Sequence, residues 1–264
     1  MASSWWRRLL GGSAATSGPR VTGRPPSANG ASSFHLGWVL DEQLEQASVV
    51  LEVLEPPRVP RLYFWALQVD TADGSGRRGG GAHLGLQWHP GHPGSTAVNW
   101  GGYHQGGGEL GGSTSSLPSA TSNVNTRDFP WSAGDRYRLV VRRVTGPSGA
   151  VAWRGTVQDL AGGHEVTVRD LDLPGDRIVG VTMWSEVFAD CDAPSVSVRW
   201  SDPVGRTLGG DAVAPAGCNV NYQTDAAGGC ANTDSSIDGV GVVQRTNSTR
   251  VTPQGTRLPL PGSG

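Results

Sequence analysis

Ser195-Val196-Ser197-Val198-Arg199-Trp200 alternates a small or charged residue with an apolar one at every step. A period of two belongs to a strand with one dry face and one wet face, and the same reading spreads outward along the chain. Tyr137, Leu139 and Val141 oppose Arg138 and Arg142. Val151, Trp153 and Val157 oppose Arg154, Thr156 and Gln158, while Val166 and Val168 alternate with Thr167 and Arg169. The runs at 49–54 and 62–69 are apolar on both faces, as central strands are. Gly, Pro, Asn and Asp interrupt the pattern roughly every ten residues, the spacing of turns between short strands.

The one helical signal is at 41–46, where Asp41 is placed to cap a single turn. With no strand-helix alternation and no long internal repeat, the pattern predicts an all-β fold: a two-sheet antiparallel β-sandwich of jelly-roll, concanavalin-like type. Trp153 and Trp200, on dry faces, are expected inside.

Composition supports this reading. Of 264 residues, 36% are hydrophobic, 40 are Gly and 18 are Pro, a balance suited to many strands and tight loops. All 21 basic residues are Arg, which points to a high-GC, actinobacterial coding bias. A net charge of -2 supplies no basic field for nucleic acid or an anionic membrane, so neither is an expected partner. No window reaches the roughly 20 apolar residues of a membrane span, and the first ten residues lack the apolar core of a signal peptide.

Residues 1–33, rich in Ser, Gly, Pro and Arg without apolar period, are expected to be a disordered leader. Residues 34–264 are then one β-sandwich domain, with a long Gly/Asn/Ser-rich loop at 206–238 and closing strands near 239–244 and 256–260. Cys191, Cys218 and Cys230 make an odd count without a C-x-x-C pair, so no zinc site is expected. Cys218 and Cys230 bracket a polar loop and are either bridged or, with Cys191, three separate thiols.

The densest polar-aromatic cluster is Gly85-Leu86-Gln87-Trp88-His89-Pro90-Gly91-His92-Pro93-Gly94, followed by Asn99-Trp100-Gly101-Gly102-Tyr103-His104-Gln105. Sugar sites pair aromatic faces for stacking with amides and imidazoles for hydroxyl groups. Trp88, Trp100 and Tyr103 are therefore the candidate stacking residues of a glycan or polysaccharide surface, with Gln87, His89, Asn99 and Gln105 as hydrogen-bonding partners. The competing structural reading places both tryptophans in the core.

Three further segments carry a resemblance: His83-Leu84-Gly85-Leu86-Gln87, Trp131 through Val141, and Trp184-Ser185-Glu186-Val187-Phe188. In this order the G-x-Q, W-x-x-G-x-x-Y-x-x-x-V and aromatic-x-E-x-F strands resemble an uncharacterised bacterial domain family, and the chain from Phe34 is similar to a group of actinobacterial proteins of unknown function. The resemblance implies a concanavalin-like or laminin-G-like sandwich, used mostly for glycan binding and sometimes for glycan cleavage. It implies no reaction.

An enzyme reading stands beside it. Gln87-Trp88-His89 and Gly101-Gly102-Tyr103-His104-Gln105 resemble the Q-x-H and G-x-Y-x-Q elements of jelly-roll polysaccharide lyases, which implies Gln87 neutralising a uronate carboxylate, with His89 and Tyr103 as base and acid. The two elements here lie closer together, and the arginine-bearing strand of those enzymes is missing. No E-x-D-x-E run supports a retaining glycosidase. Glu186, Asp190 and Asp192 offer too few hard oxygens for calcium, no G-x-S-x-G elbow occurs, and Arg77-Arg78-Gly79-Gly80-Gly81 reads as a hairpin tip, not a phosphate loop. No cofactor or metal is expected. A non-catalytic glycan-binding sandwich is therefore the expected function, with a jelly-roll lyase or hydrolase and a structural or protein-interaction module as the alternatives.

Overall fold

The alternating stretch that ends at Trp200 lies in a central strand, and every run read above as period two forms a strand in the computed structural model, which describes residues 19–146 and 149–260. Among the described residues there are sixteen strands, all paired antiparallel, in two facing arrays. The first array runs β16 (Arg257–Leu258), β13 (Cys218–Tyr222), β1 (Ser32–Trp38), β10 (Arg177–Val187), β3 (Tyr63–Ala72), β4 (Arg78–Trp88), β5 (Thr96–His104) and β6 (Thr126–Asp128). The second runs β14 (Asp234–Ile237), β15 (Val242–Arg245), β11 (Ser197–Thr207), β2 (Leu44–Glu55), β7 (Arg136–Thr145), β8 (Val151–Asp159) and β9 (Glu165–Leu171), with β12 (Ala212–Val213) at the far end of β11. A single bridge, Ile178 to Leu44, joins the arrays into one sheet that does not close.

The inward faces interdigitate around Trp65, Trp100, Trp153 and Trp200, all fully buried. Burying an indole of this size stabilises the fold by about 4–6 kcal/mol as an upper estimate. Gly155 of β8 lies opposite Trp100 of β5, and a Cβ there would come within 2.8 Å of the indole ring. Glycine is thus the residue that lets the two arrays approach at this point. The Trp100 indole N–H then reaches the carbonyl of Trp153 at 3.3 Å. A second tie is polar: buried Gln244 of β15 accepts from Ser185 at 2.8 Å and from the Trp200 indole at 2.9 Å, and its amide donates to the Phe34 carbonyl at 2.9 Å. All three groups are satisfied, so the network ties the layers without an unpaired interior dipole.

Four expectations change. Residues 41–46 make no helical turn, because Ala47, Val49, Leu51 and Val53 share the inward phase of β2, Leu44 joins the core across a register shift, and burial outweighs a lone capping residue. The 206–238 segment is not one long loop: it holds β12, β13, β14 and a 3-10 turn at Asp225–Ala227. Of the leader, residues 1–18 lie outside the described residues, whereas 19–33 are docked. Arg20 pairs with Asp225 at 3.3 Å, Gly23 N–H donates to Asp192, and Ser32 and Ser33 already belong to β1. Their anchors are polar and backbone-mediated, which apolar periodicity does not register. Lastly, the disulfide joins Cys191 to Cys230, with Cα atoms 5.5 Å apart. Cys218 is a buried free thiol, its pKa pushed up to about 12 by burial, because it starts the inserted strand β13 and faces the core.

Candidate functional site

The outer face of the first array is where polar residues collect. On β10 the outward phase carries Thr182, Trp184 and Glu186; on β3, Phe64, Ala66, Gln68 and Asp70; on β4, His83 and Gln87; on β5, Asn99 and Tyr103. Such a face would ordinarily be open to water. Instead Phe64, Ala66, Trp184, Gln87 and Asn99 are all buried, so the face is a recess. One wall is the docked segment 19–31, whose Asn29 amide donates to Glu186 Oε1 at 2.9 Å. The other is the loop after β5, where Asn125 packs on Gly101: a Cβ there would meet the Asn125 side chain at 2.8 Å. Arg169 Nη1 fixes that asparagine at 2.9 Å.

Register sets the order of groups across the floor. Ser33, Glu186, Phe64, Gln87 and Ala97 form one row on five adjacent strands, and the next row toward Gln68 holds His35, Trp184, Ala66, Gly85 and Asn99. Phe64, His83 and Trp184 meet edge to face, with centroids 4.9 to 5.7 Å apart, and Tyr103 lies 6.4 Å from His83. Gln87 Oε1, Asn99 Oδ1 and Trp184 Nε1 are buried without a hydrogen-bond partner among the described residues. Three orphan groups on one face are a sizeable desolvation cost for a structure to retain.

Burial also sets the titration of this face. It raises the Glu186 carboxyl to about 7, the Asn29 hydrogen bond pulling the other way. It lowers His83 to about 4, and lowers His35 to about 4 against a hydrogen bond to the Asn221 backbone that pulls the other way. Both imidazoles are therefore neutral at pH 7. Asp70, paired with Gln68 at 3.2 Å, is also raised by burial. Tyr103 is raised by burial and by the nearby carboxylates Glu109 and Glu186.

The residues singled out from sequence divide between the two sides of the sheet. Gln87, Asn99 and Tyr103 enter the recess. Trp88 and Trp100 share the opposite phase: Trp100 is fully buried in the core, and Trp88 packs against Trp131 at 6.1 Å. The three-ring stacking platform is thus not assembled, because aromatic residues at positions 88, 100 and 103 cannot share one face in the β4–β5 register. His89 sits past the end of β4, its Nδ1 accepting from Gly91 N–H at 3.0 Å and its ring against His92 at 4.9 Å. The histidine beside Tyr103 is His83. Gln105 is exposed in the turn after β5. Sequence reasoning gave no site role to His35, Gln68, His83 or Trp184; it placed Glu186 in the aromatic-x-E-x-F segment and weighed its chemistry only with Asp190 and Asp192. The available signal was the carboxylate at an outward position of a strand whose other residues are nearly all apolar or small.

Scytalido-glutamic peptidase, crystallised with a peptide-based transition-state analogue, superposes with a TM-score of 0.50 and 12% identity, over 81% of this chain and 98% of that one. The two share a fold. SCP-B, a member of the eqolisin family of peptidases in complex with a tripeptide, matches at 0.48 with 12% identity over 81% and 98%. An alginate lyase, Aly36B, in complex with a tetrasaccharide, matches at 0.22 with 9% identity over 64% and 75%. No family profile and no curated protein matches the sequence. No helix among the described residues is long and apolar enough to cross a membrane.

Proposed function

We propose that the recess is the active site of a hydrolase that cleaves peptide bonds, with Glu186 as general base and Gln87 as the amide that holds the reacting carbonyl oxygen. The observation that carries this reading is the row Glu186, Phe64, Gln87. The two side chains rise from one face on either side of Phe64, two strand spacings or about 10 Å apart, so that a carbonyl seated over that ring would meet both. Only one Glu186 oxygen is engaged by Asn29, and no side-chain hydrogen bond holds the Gln87 amide.

The chemistry follows from these positions. Ionised Glu186 takes a proton from a water at its free oxygen as that water's oxygen bonds to the carbonyl carbon. The Gln87 N–H donates to the oxyanion that forms, in a site with little competing solvent. Glu186 then returns the proton to the amide nitrogen, the C–N bond breaks, and a carboxylic acid and an amine leave. A base with a pKa near the working pH is suited to both transfers. A retaining glycosidase would need a second carboxylate about 5 Å away. Asp70, the other recessed acid, stands six residues from Phe64 along β3, about 20 Å. The glutamic peptidase with the same fold agrees with a glutamate-based mechanism.

A polyuronate lyase is the second reading, favoured by His83 and Tyr103 lying 6.4 Å apart on the face that also presents Gln87. One experiment separates the two. The protein is incubated with a mixed peptide library in ¹⁸O-water and, in parallel, with uronate polymers followed at the absorbance of unsaturated products. Hydrolysis predicts one ¹⁸O in each new carboxyl group and loss of cleavage in Glu186→Gln and Gln87→Ala. Unsaturated uronates with no peptide cleavage would replace this reading with the lyase; saccharide binding with neither reaction would leave a glycan-binding protein.

A further inference from the structure

The recess continues past Glu186 into an open cleft of about 260 Å³, whose lining includes Arg24, Arg61, Leu62, His89, Phe188 and Asp190. Its floor is the next rung of the same face. Phe188 N–H donates to the Leu62 carbonyl at 3.0 Å, which carries the β10–β3 ladder one step beyond its last pair. Phe188 and Leu62 therefore stand two residues on from Glu186 and Phe64, about 7 Å along the strands. The cleft is within one residue's reach of the proposed catalytic row.

Its charge is unspent. Arg24 and Arg61 make no ion pair or side-chain hydrogen bond among the described residues, and neither does the Asp190 carboxylate. Burial and the neighbouring His92 lower the pKa of His89. Two arginines against one aspartate leave one positive charge, the match for a single carboxylate.

Arg24 is also held in place. Gly23 beside it donates to Asp192 at 2.9 Å and accepts from Cys191 N–H at 2.9 Å, next to the disulfide with Cys230. On its other side the guanidinium packs at Gly30, where a Cβ would lie 3.2 Å from Nη2, adjacent to the Asn29 that holds Glu186. One short segment thus positions both an arginine in the cleft and an amide on the catalytic carboxylate.

We propose that this cleft is a specificity subsite for a carboxylate of the peptide substrate, gripped by Arg24 and Arg61 beside the bond that Glu186 attacks. The inference rests on the peptidase reading for its substrate class and on the cleft alone for its charge preference. Guanidinium groups suit this task because their forked donors meet a carboxylate in two parallel hydrogen bonds. The carboxylate belongs either to an Asp or Glu side chain or to the chain terminus.

The test uses matched peptides carrying Glu or Gln at each position around the cleaved bond, each with a free or an amidated C-terminus. Cleavage is measured with native protein and with Arg24→Gln, Arg61→Gln and Arg61→Lys, and binding with Glu186→Gln protein by fluorescence anisotropy. We expect native kcat/KM to favour one carboxylate-bearing peptide at least tenfold over its amide partner, through KM. That ratio should fall toward one in Arg61→Gln and be partly kept in Arg61→Lys. Preference for internal Glu with an amidated end identifies a side-chain subsite; preference for the free terminus identifies a carboxypeptidase-like one. If no peptide is cleaved yet Glu186→Gln protein binds the acidic peptide in an Arg61-dependent way, the subsite stands and the hydrolase reading falls. Equal handling of acidic and amide peptides, in cleavage or in binding, overturns the subsite.

Discussion

Asn29 Nδ2 donates to Glu186 Oε1 at 2.9 Å, across 157 residues of sequence. This amide favours the ionised carboxylate, whereas burial favours the neutral one, and burial wins, leaving the carboxyl at about 7. The balance makes Asn29 a positioning residue whose effect can be read in a pH profile. For a general base, kcat/KM should rise with pH with a midpoint near 7. Removing the amide in Asn29→Ala should move that midpoint upward by about one unit, the worth of one hydrogen bond to a charged group. An unmoved midpoint with reduced activity would show that Asn29 only shapes the wall.

The same carboxyl links stability to pH. Its folded pKa lies above its ordinary value of 4.5, so its contribution to stability is full below about 4.5 and is lost as pH rises through 7. Glu186→Gln removes the ionisation, and the variant should melt higher than native protein at pH 8, on the order of 5 °C, with little difference at pH 4.5. Thermal melts at the two pH values check this.

His35 and His83 act with the opposite sign. Both have folded pKa values near 4, below the ordinary 6.5, so the stability they confer is present above 6.5 and lost as pH falls through 4. Replacing His83 with Gln should flatten the acid limb of the stability curve between pH 6.5 and 4 without altering it at pH 8. Denaturant titrations across this range measure it.

Core and recess should respond differently to truncation. Trp100→Ala empties a site enclosed by Gly155 and Trp153 and should destabilise by about 3–5 kcal/mol. Gln87→Ala removes an amide with no side-chain partner and should leave the melting temperature within a few degrees while abolishing turnover. Loss of folding in the Gln87 variant would mark it as a core residue and sink its proposed role.

Much of the fold was legible because one-sided burial writes its period into the chain. The alternation at 137–141, 151–158 and 195–200 fixed strand identity, and Trp153 and Trp200 are interior as expected. The site was legible only in part, because period two says which residues share a face of one strand but not which strands are neighbours. Gln87 and Tyr103 stood out for their local company. Their relation to Glu186 depends on β10 pairing with β3, a contact between residues over a hundred positions apart. Trp88 and Trp100 misled for the complementary reason: a polar, glycine-rich neighbourhood is compatible with an inward ring when the facing strand offers a glycine, as Gly155 does. The docked segment 19–31 carried no signal, since backbone groups and single polar side chains hold it.

The position of β1 in the sheet has a temporal consequence. It lies between β10 and β13, so the earliest strand of the fold cannot be hydrogen-bonded on both edges until residues 177–187 and 218–222 have been synthesised. Closing so long a loop is slow relative to forming the local hairpins β3–β4 and β7–β8. Asn29, three residues before β1, can reach Glu186 only once β10 has been made, and the segment bearing Arg24 is bonded to Cys191 through Gly23. During translation Glu186 would therefore stand in an incomplete setting until these segments have emerged, so on the proposed peptidase reading catalysis would begin only late in synthesis.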